Sequence, residues 1–148
     1  LLVWQDFGFA CQAYPFFLPE FLENVKTEVH AQVQRLCHHP SLAVWCGNNE
    51  IEDMHMAWVH MQKYVQWTEK FFYEILEPEI RAEDPDTPYT PGSPVGIAHN
   101  EGVYSDNVGD THLWGVWHGL QPFAANSVLR ACRMPRPFAS TQSPGTTP

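Results

Sequence analysis

The sequence predicts an α/β fold in which parallel strands deliver polar side chains to one end of a sheet. Two apolar runs carry this reading. Leu1-Leu2-Val3-Trp4 gives way to Gln5-Asp6, and Leu42-Ala43-Val44-Trp45-Cys46 gives way to Gly47-Asn48-Asn49-Glu50. Continuous apolar runs of this length mark strands buried on both faces, as in parallel sheets. Between them lies a helical stripe, the crossover that two parallel neighbours require.

In chain order, Leu1 to Phe7 is the first strand, with Asp6 at its carboxyl end. Phe7 to Leu18 is aromatic and proline-marked and suits a loop over the mouth of a site. Pro19 fits a first helical position. From there Leu22, Val25, Val29, Val33 and Leu36 form one apolar stripe opposite Glu23, Lys26, Glu28 and Arg35, an amphipathic helix lying on a sheet. His38-His39-Pro40 turns the chain into the second strand, at whose end Glu50 stands. In an α/β barrel the reactive groups sit where strands end.

After Glu50 the pattern predicts a long helix from Asp53 through Ile80. Met61, Val65, Phe72 and Leu76 form its buried stripe, with Ile75 alongside, and Pro78 kinks or ends it. Asp84-Pro85-Asp86-Thr87-Pro88 is a turn. Tyr89 to Pro94 reads as a short strand, Ile97 to Asp110 as a long polar loop, and Thr111 to Gly119 as a further strand ending in aromatic and imidazole groups. Beyond that the composition changes. All 17 acidic residues lie at or before Asp110, and the segment after Ala125 carries Arg130, Arg133 and Arg136 among many Pro, Ser and Thr residues. Residues 124–148 are therefore expected to be a disordered tail or a frame-shifted, non-native continuation of the domain in 1–123.

The net charge of −9 argues against nucleic acid or an anionic membrane as a partner. No apolar run approaches the ~20 residues that span a bilayer. The opening Leu1-Leu2-Val3-Trp4, without a basic leader or a methionine, is expected of the interior of a longer protein. Cys11, Cys37, Cys46 and Cys132 lack Cys-x-x-Cys spacing and are read as small buried residues. Glu52-x-x-His55 has the spacing of a di-iron half-site, but such a bundle needs two copies. His38-His39 and the His112/His118 pair lack a third ligand at useful spacing. No metal site and no cofactor are expected.

Several blocks together resemble the β-mannosidases of glycoside hydrolase family 2. They are Leu2-Val3-Trp4-Gln5-Asp6-Phe7, His39 through Glu50, Asp84-Pro85 with Pro88-Tyr89, Gly92-Ser93-Pro94, Gly109-Asp110-Thr111-His112, and Trp114-Gly115-Val116-Trp117-His118-Gly119. They follow in family order and cover about residues 1–123. Leu113 departs from the tyrosine expected between His112 and Trp114.

The resemblance implies a partial (β/α)8 barrel, roughly strands three to six of a larger catalytic domain. It implies hydrolysis, with retention, of terminal non-reducing β-D-mannose from a β-mannoside or manno-oligosaccharide. Glu50 would be the general acid/base. Asn49 would bond the sugar near its 2-position, and Asp6, Trp4, Trp58, Trp117 and His118 would contact the substrate. The family's nucleophile is a second glutamate in a Ser-Glu-aromatic-Gly segment, and this sequence contains no Ser-Glu pair. The chain alone is thus expected to be inactive, its partner being the remainder of the parent enzyme. A related β-glycosidase of another sugar specificity and a non-catalytic carbohydrate-binding fragment are the alternatives.

This chemistry explains the residue types. Retaining hydrolysis uses two carboxyl groups about 5–5.5 Å apart, one protonating the leaving oxygen and the other attacking the anomeric carbon. The acid needs a partly apolar pocket and a nearby like charge to hold its proton near neutral pH. Trp45, Trp58, Trp114 and Trp117 are candidate walls of that pocket. An amide such as Asn49 binds a hydroxyl without adding charge, and an aromatic face such as Trp4 packs on a pyranose.

Overall fold

The computed structural model describes residues 1–57, 59–95, 109–112, 114–116, 118–120 and 122. Strand β1 (Val3–Asp6) is followed by helix α1 (Pro19–Leu36) and strand β2 (Leu42–Cys46). Helix α2 (Ile51–Ala57), a 3-10 segment (Val59–Tyr64), helix α3 (Val65–Glu69), a π-helical segment (Lys70–Ile75), helix α4 (Leu76–Glu83) and strand β3 (Tyr89–Thr90) complete the order. The three strands form one parallel sheet in the order β1-β2-β3. Parallel neighbours with helical crossovers are what the sequence predicts.

Helix α1 starts where Pro19 fixes the first helical φ, and its stripe works as read: Val25, Val29 and Val33 are buried. That stripe joins one core with Phe7, Phe9, Phe16, Trp45, Ile51, Phe71, Phe72, Leu76, Ile80 and Tyr89. Aromatic rings supply much of it. Phe16 stacks on Phe71 at 4.1 Å between centroids, and Phe9 sets its edge against Phe16, Phe71 and Phe72. Such pairs add about 0.5–1.5 kcal/mol each beyond area burial. On the solvent side α1 is tied to α4: Lys26 Nζ and His30 Nε2 reach Glu79 at 3.0 and 2.9 Å, and His30 Nδ1 reaches Glu83 at 3.0 Å.

The long helix expected from Asp53 to Ile80 is broken instead. Pro78 has no N–H to offer the carbonyl one turn back, and its ring crowds that turn. The π-helical segment lies immediately ahead of it, as a widened turn that lets the chain continue helically. Met61, Phe72 and Leu76 are buried as expected, Val65 only partly, and Phe71 joins them because the π-helical turn rotates the face.

The strand expected over Thr111–Gly119 does not form among the described residues. The His118 and Gly119 amides both donate to the Trp114 carbonyl at 3.0 Å, which closes a tight turn. Gly119 makes this possible: a β-carbon there would lie 2.9 Å from Gly115 Cα and from its carbonyl oxygen. Two cysteines also depart from expectation, since Cys46 is buried while Cys11 and Cys37 are half-buried free thiols. Each stands in a loop or at a helix end rather than in a strand. Cys132, Leu113 and the tail from residue 123 lie outside the described residues.

Candidate active site

The segment Gly47–Glu50 leaves the carboxyl end of β2 and is fastened on both sides by backbone bonds. Toward the loop after β1, Asn49 N–H donates to Phe9 O at 2.9 Å and Cys11 N–H to Asn49 O at 3.0 Å. Toward the loop after β3, Gly47 N–H donates to Thr90 O at 2.9 Å, Ser93 N–H to Asn48 O at 2.9 Å and Glu50 N–H to Ser93 O at 2.8 Å. The parallel order therefore continues past the strands as single bridges, Ala10 to Asn49 and Asn49 to Ser93.

Asn48 is a positioning amide, 1% exposed. It donates Nδ2–H to Pro91 O at 2.8 Å and accepts Ile51 N–H at 3.1 Å, which caps the start of α2. Gly47 is required by close approach: a β-carbon would lie 2.3 Å from Pro91 O, 2.7 Å from Tyr89 Oη and 2.9 Å from Phe72 Cδ1. Glu50 adopts φ +60°, a left-handed conformation that costs a non-glycine residue about 1–2 kcal/mol. Cys11, which touches it, shares the feature at φ +48°. Strain of this kind persists where surrounding bonds over-determine the backbone, as they do here.

The Glu50 side chain is 9% exposed and both of its oxygens are engaged. His112 Nδ1 lies 2.7 Å from Oε1, and the Cys11 thiol donates to Oε2 at 3.4 Å. Asn49 Nδ2–H donates to the same Cys11 sulfur at 3.7 Å. Behind the imidazole, His112 Nε2 is 2.9 Å from Ser93 Oγ and 3.4 Å from Asp110 Oδ2, and the Ser93 hydroxyl donates to Asp110 at 2.5 Å.

The charges follow from this network. The hydrogen bond with Asp110 dominates His112, and with the help of Glu50 it overcomes burial and pushes the imidazole up to about 9. Burial pushes the Asp110 carboxyl up, but bonds from His112 and Ser93 outweigh it and hold the group below the usual range. Burial, then the Glu50 carboxylate, pushes the Cys11 thiol up. At neutral pH His112 is thus a cation, one ring nitrogen facing Glu50 and the other facing Asp110 and Ser93.

Trp4 and Asp6 stand at the same end of the sheet. In the β1–β2 register Trp4 pairs with Val44 and Asp6 with Cys46, so all four lie on the sheet face opposite Trp45. The Trp4 indole N–H donates to Asp6 Oδ1 at 2.9 Å, and Trp4 is 41% exposed. Asn49 and Glu50 are brought together with Cys11, Ser93, Asp110 and His112. Trp45 is not a pocket wall: it is fully buried against Phe7, with ring centroids 5.4 Å apart, and donates its indole N–H to Asp84 at 2.9 Å. Alternation along β2 turns it toward the helices. Trp58 and Trp117 lie outside the described residues. His118 belongs to the second unit, from Leu113 onward, where its ring meets that of Trp114 edge-on at 5.1 Å.

Sequence reasoning placed Glu50 and Asn49 but missed Cys11, Ser93, Asp110 and His112 as its neighbours. The Gly109-Asp110-Thr111-His112 block held a signal, a carboxylate and an imidazole two residues apart after a long polar loop. Nothing in its spacing indicated which carboxylate it would meet.

Searched against family models, the chain matches none. Among curated proteins it is 39% identical over 132 residues to β-mannosidase B of Thermothelomyces thermophilus, 40% over 132 residues to that of Neosartorya fischeri, and 41% over 133 residues to that of Aspergillus flavus. Each match covers 82% of this chain and 15% of the relative, so the chain spans about a seventh of the relatives' length. Among solved structures, the crystal structure of β-D-mannosidase from Dictyoglomus thermophilum superposes with a TM-score of 0.70 at 38% identity. That match covers 80% of this chain and 14% of that one. Sequence and fold thus agree that this chain resembles a segment of the β-mannosidases, and by that resemblance it is of glycoside-hydrolase type.

Proposed function

We propose that this chain is part of the catalytic (β/α)8 barrel of a family 2 β-mannosidase, and that it supplies the acid/base half of a retaining hydrolysis of terminal β-D-mannose. The observation that carries this reading is Glu50. It is a buried carboxylate at the end of a parallel strand, held in a strained left-handed turn with both oxygens hydrogen-bonded. Fixed geometry of this kind suits a group that gives a proton to the leaving oxygen and later takes one from water.

In this reading Asn49 bonds the 2-hydroxyl, Asp6 takes hydroxyl hydrogen bonds, and the exposed face of Trp4 packs on the pyranose. Trp58, Trp117 and His118 are further substrate contacts. The second carboxylate comes from elsewhere in the parent enzyme, so the 148-residue polypeptide alone turns over no mannoside. Aryl β-mannoside hydrolysis tests this directly. A full-length β-mannosidase carrying this segment should release β-mannose as the first product, while the isolated chain should release none. Release of α-mannose first would refute retention, and preference for a β-glucoside or β-galactoside would refute the sugar.

The exposed Trp4 with its bonded Asp6 favours one second reading, a sugar-binding surface without turnover. Mannose binding that Trp4→Ala abolishes, in a full-length parent protein that hydrolyses no mannoside, would support it instead.

A further inference from the structure

We propose that His55 is an acid-release latch for the Glu50 turn: seated in the buried face of α2 with its Nε2 unpaired, it loosens that helix when it takes a proton. The inference follows from the packing of α2 and goes beyond the acid/base reading of Glu50 without resting on it.

Helix α2 is short and begins at the candidate site. Asn48 Oδ1 accepts the Ile51 N–H at 3.1 Å, and the Met54 N–H donates to the Glu50 carbonyl at 3.0 Å. The first bonds of the helix therefore help to hold the residue whose backbone stands at φ +60°. A helix of this length has little stability of its own, so tertiary packing must keep it in place. Ile51, Glu52, Asp53 and His55 are all buried in that packing, His55 to 3% exposure.

His55 is buried on different terms from His30 and His112. His30 stands between Glu79 at 2.9 Å and Glu83 at 3.0 Å, and His112 between Glu50 at 2.7 Å and Asp110 at 3.4 Å. A proton on either of those rings meets a carboxylate. Among the described residues nothing hydrogen-bonds to the buried Nε2 of His55. A neutral imidazole tolerates such a site, while a charged one gives up its hydration without compensation. Burial accordingly pushes His55 down, whereas Glu79 pushes His30 up and Asp110 pushes His112 up.

The surroundings of α2 carry other titratable groups. Glu52 and Asp53 share the helix, and His60 and Lys63 stand on the 3-10 segment that follows it. The Tyr73 hydroxyl donates to Glu52, the Cys11 thiol feels Asp53, and burial and then Glu52 push Glu69 up. Among the described residues none of them moves His55, whose shift comes from burial.

The direction of the effect follows from linkage. When α2 opens, the ring reaches water and regains the free-histidine value of about 6.5. Below that value the open form binds the proton more tightly than the closed form. The open fraction then grows by up to about tenfold per pH unit, until pH reaches the depressed value of the closed form. His30, His112 and Glu69 are pushed up, so their linkage favours the closed form as pH falls and opposes the effect. Burial pushes Glu79, Asp84 and Asp110 up, but their hydrogen bonds hold them low on balance. Their linkage has the same sign as that of His55 and sets in only near the ordinary carboxylate value of about 4.

Hydrogen exchange read by mass spectrometry, in a full-length β-mannosidase carrying this segment, tests the latch. After correction for intrinsic exchange, peptides covering Ile51–Ala57 should change by no more than about twofold on going from pH 7.5 to 6.5. From there towards pH 5 they should exchange faster by a factor approaching about ten per unit. His55→Gln and His55→Phe, two uncharged replacements of different shape, should each flatten that rise. Exchange of α2 that does not quicken between pH 6.5 and 5 overturns the proposal, whether or not the variants fold. A rise of the same size in a variant that does fold overturns it as well. The readout is exchange and not turnover, so failure of the acid/base role of Glu50 would leave this result untouched.

Discussion

Gly47→Ala is expected to be among the most destabilising single-methyl changes in this chain, and its size follows from three distances. The added carbon would sit 2.3 Å from Pro91 O, 2.7 Å from Tyr89 Oη and 2.9 Å from Phe72 Cδ1. None of these can retreat cheaply. Pro91 O is held by Asn48 Nδ2–H at 2.8 Å, the buried Tyr89 hydroxyl donates to Phe72 O at 2.7 Å, and Phe72 is 1% exposed in the core. Overpacking of this kind costs about 1–3 kcal/mol, and loss of the tyrosine bond adds about 1 kcal/mol. Alanine restricts the unfolded chain and returns about 0.4–1 kcal/mol. The net is a loss of about 1–3.5 kcal/mol, a large part of the 5–15 kcal/mol typical of a domain. Urea unfolding followed by the fluorescence of buried Trp45 measures it. A midpoint shift worth less than about 0.5 kcal/mol, the size of an ordinary surface substitution, would refute the claim that close approach selects glycine here.

Three further outcomes follow from other contacts. Trp45→Phe removes the indole donor from the buried Asp84 carboxylate and should cost about 1–3 kcal/mol in urea unfolding, the usual penalty for a buried acceptor left without its partner. Glu50→Gly should be more stable than Glu50→Ala by about 1 kcal/mol: both lose the carboxylate, and only glycine relaxes at φ +60°. The α1–α4 clamp should make stability depend on pH from both sides. Its bonds to Glu79 raise His30, so that contribution is complete below the free-histidine value of about 6.5 and fades as pH rises through the raised value. Burial pushes Glu79 up, but Lys26 and His30 hold it low on balance, so its contribution is present above the ordinary glutamate range and fades as pH falls through the depressed value. His30→Gln should flatten the alkaline side of a thermal-unfolding profile, and an unchanged profile would contradict the assignment.

The parts of the fold that repeat locally were legible in the sequence. The α1 stripe, the positions of the two strand runs and the turn at Asp84 all rest on neighbours within a few positions, where periodicity and turn chemistry act. The burial expected of the first run did not follow, since β1 is exposed at Val3, Trp4 and Asp6. The position of Asn49 and Glu50 just past the end of β2 was legible too, because a polar group after a buried strand has few places to be. The broken helix after Ala57 was not, since Pro78 is tolerated in the first turn of α4 and its effect appears one turn earlier as a π-helical widening. Trp45 was misread because alternation alone does not say which sheet face holds the helices. The Glu50 surroundings were illegible for a different reason. Cys11, Ser93 and His112 lie 39, 43 and 62 positions away in the chain, and only the parallel extension of the three loops brings them together.

The most direct test of the account is Glu50→Gln in a full-length β-mannosidase carrying this segment, assayed on mannosides with poor and with activated leaving groups, with and without azide. Loss of general acid/base assistance should lower turnover of the poor leaving group about 10²–10⁴-fold. The dinitrophenyl substrate should keep most of its first step, and azide should restore its turnover as β-mannosyl azide. Unchanged turnover of the poor leaving group, or equal loss on both without azide rescue, would contradict the assignment of Glu50 as the acid/base group.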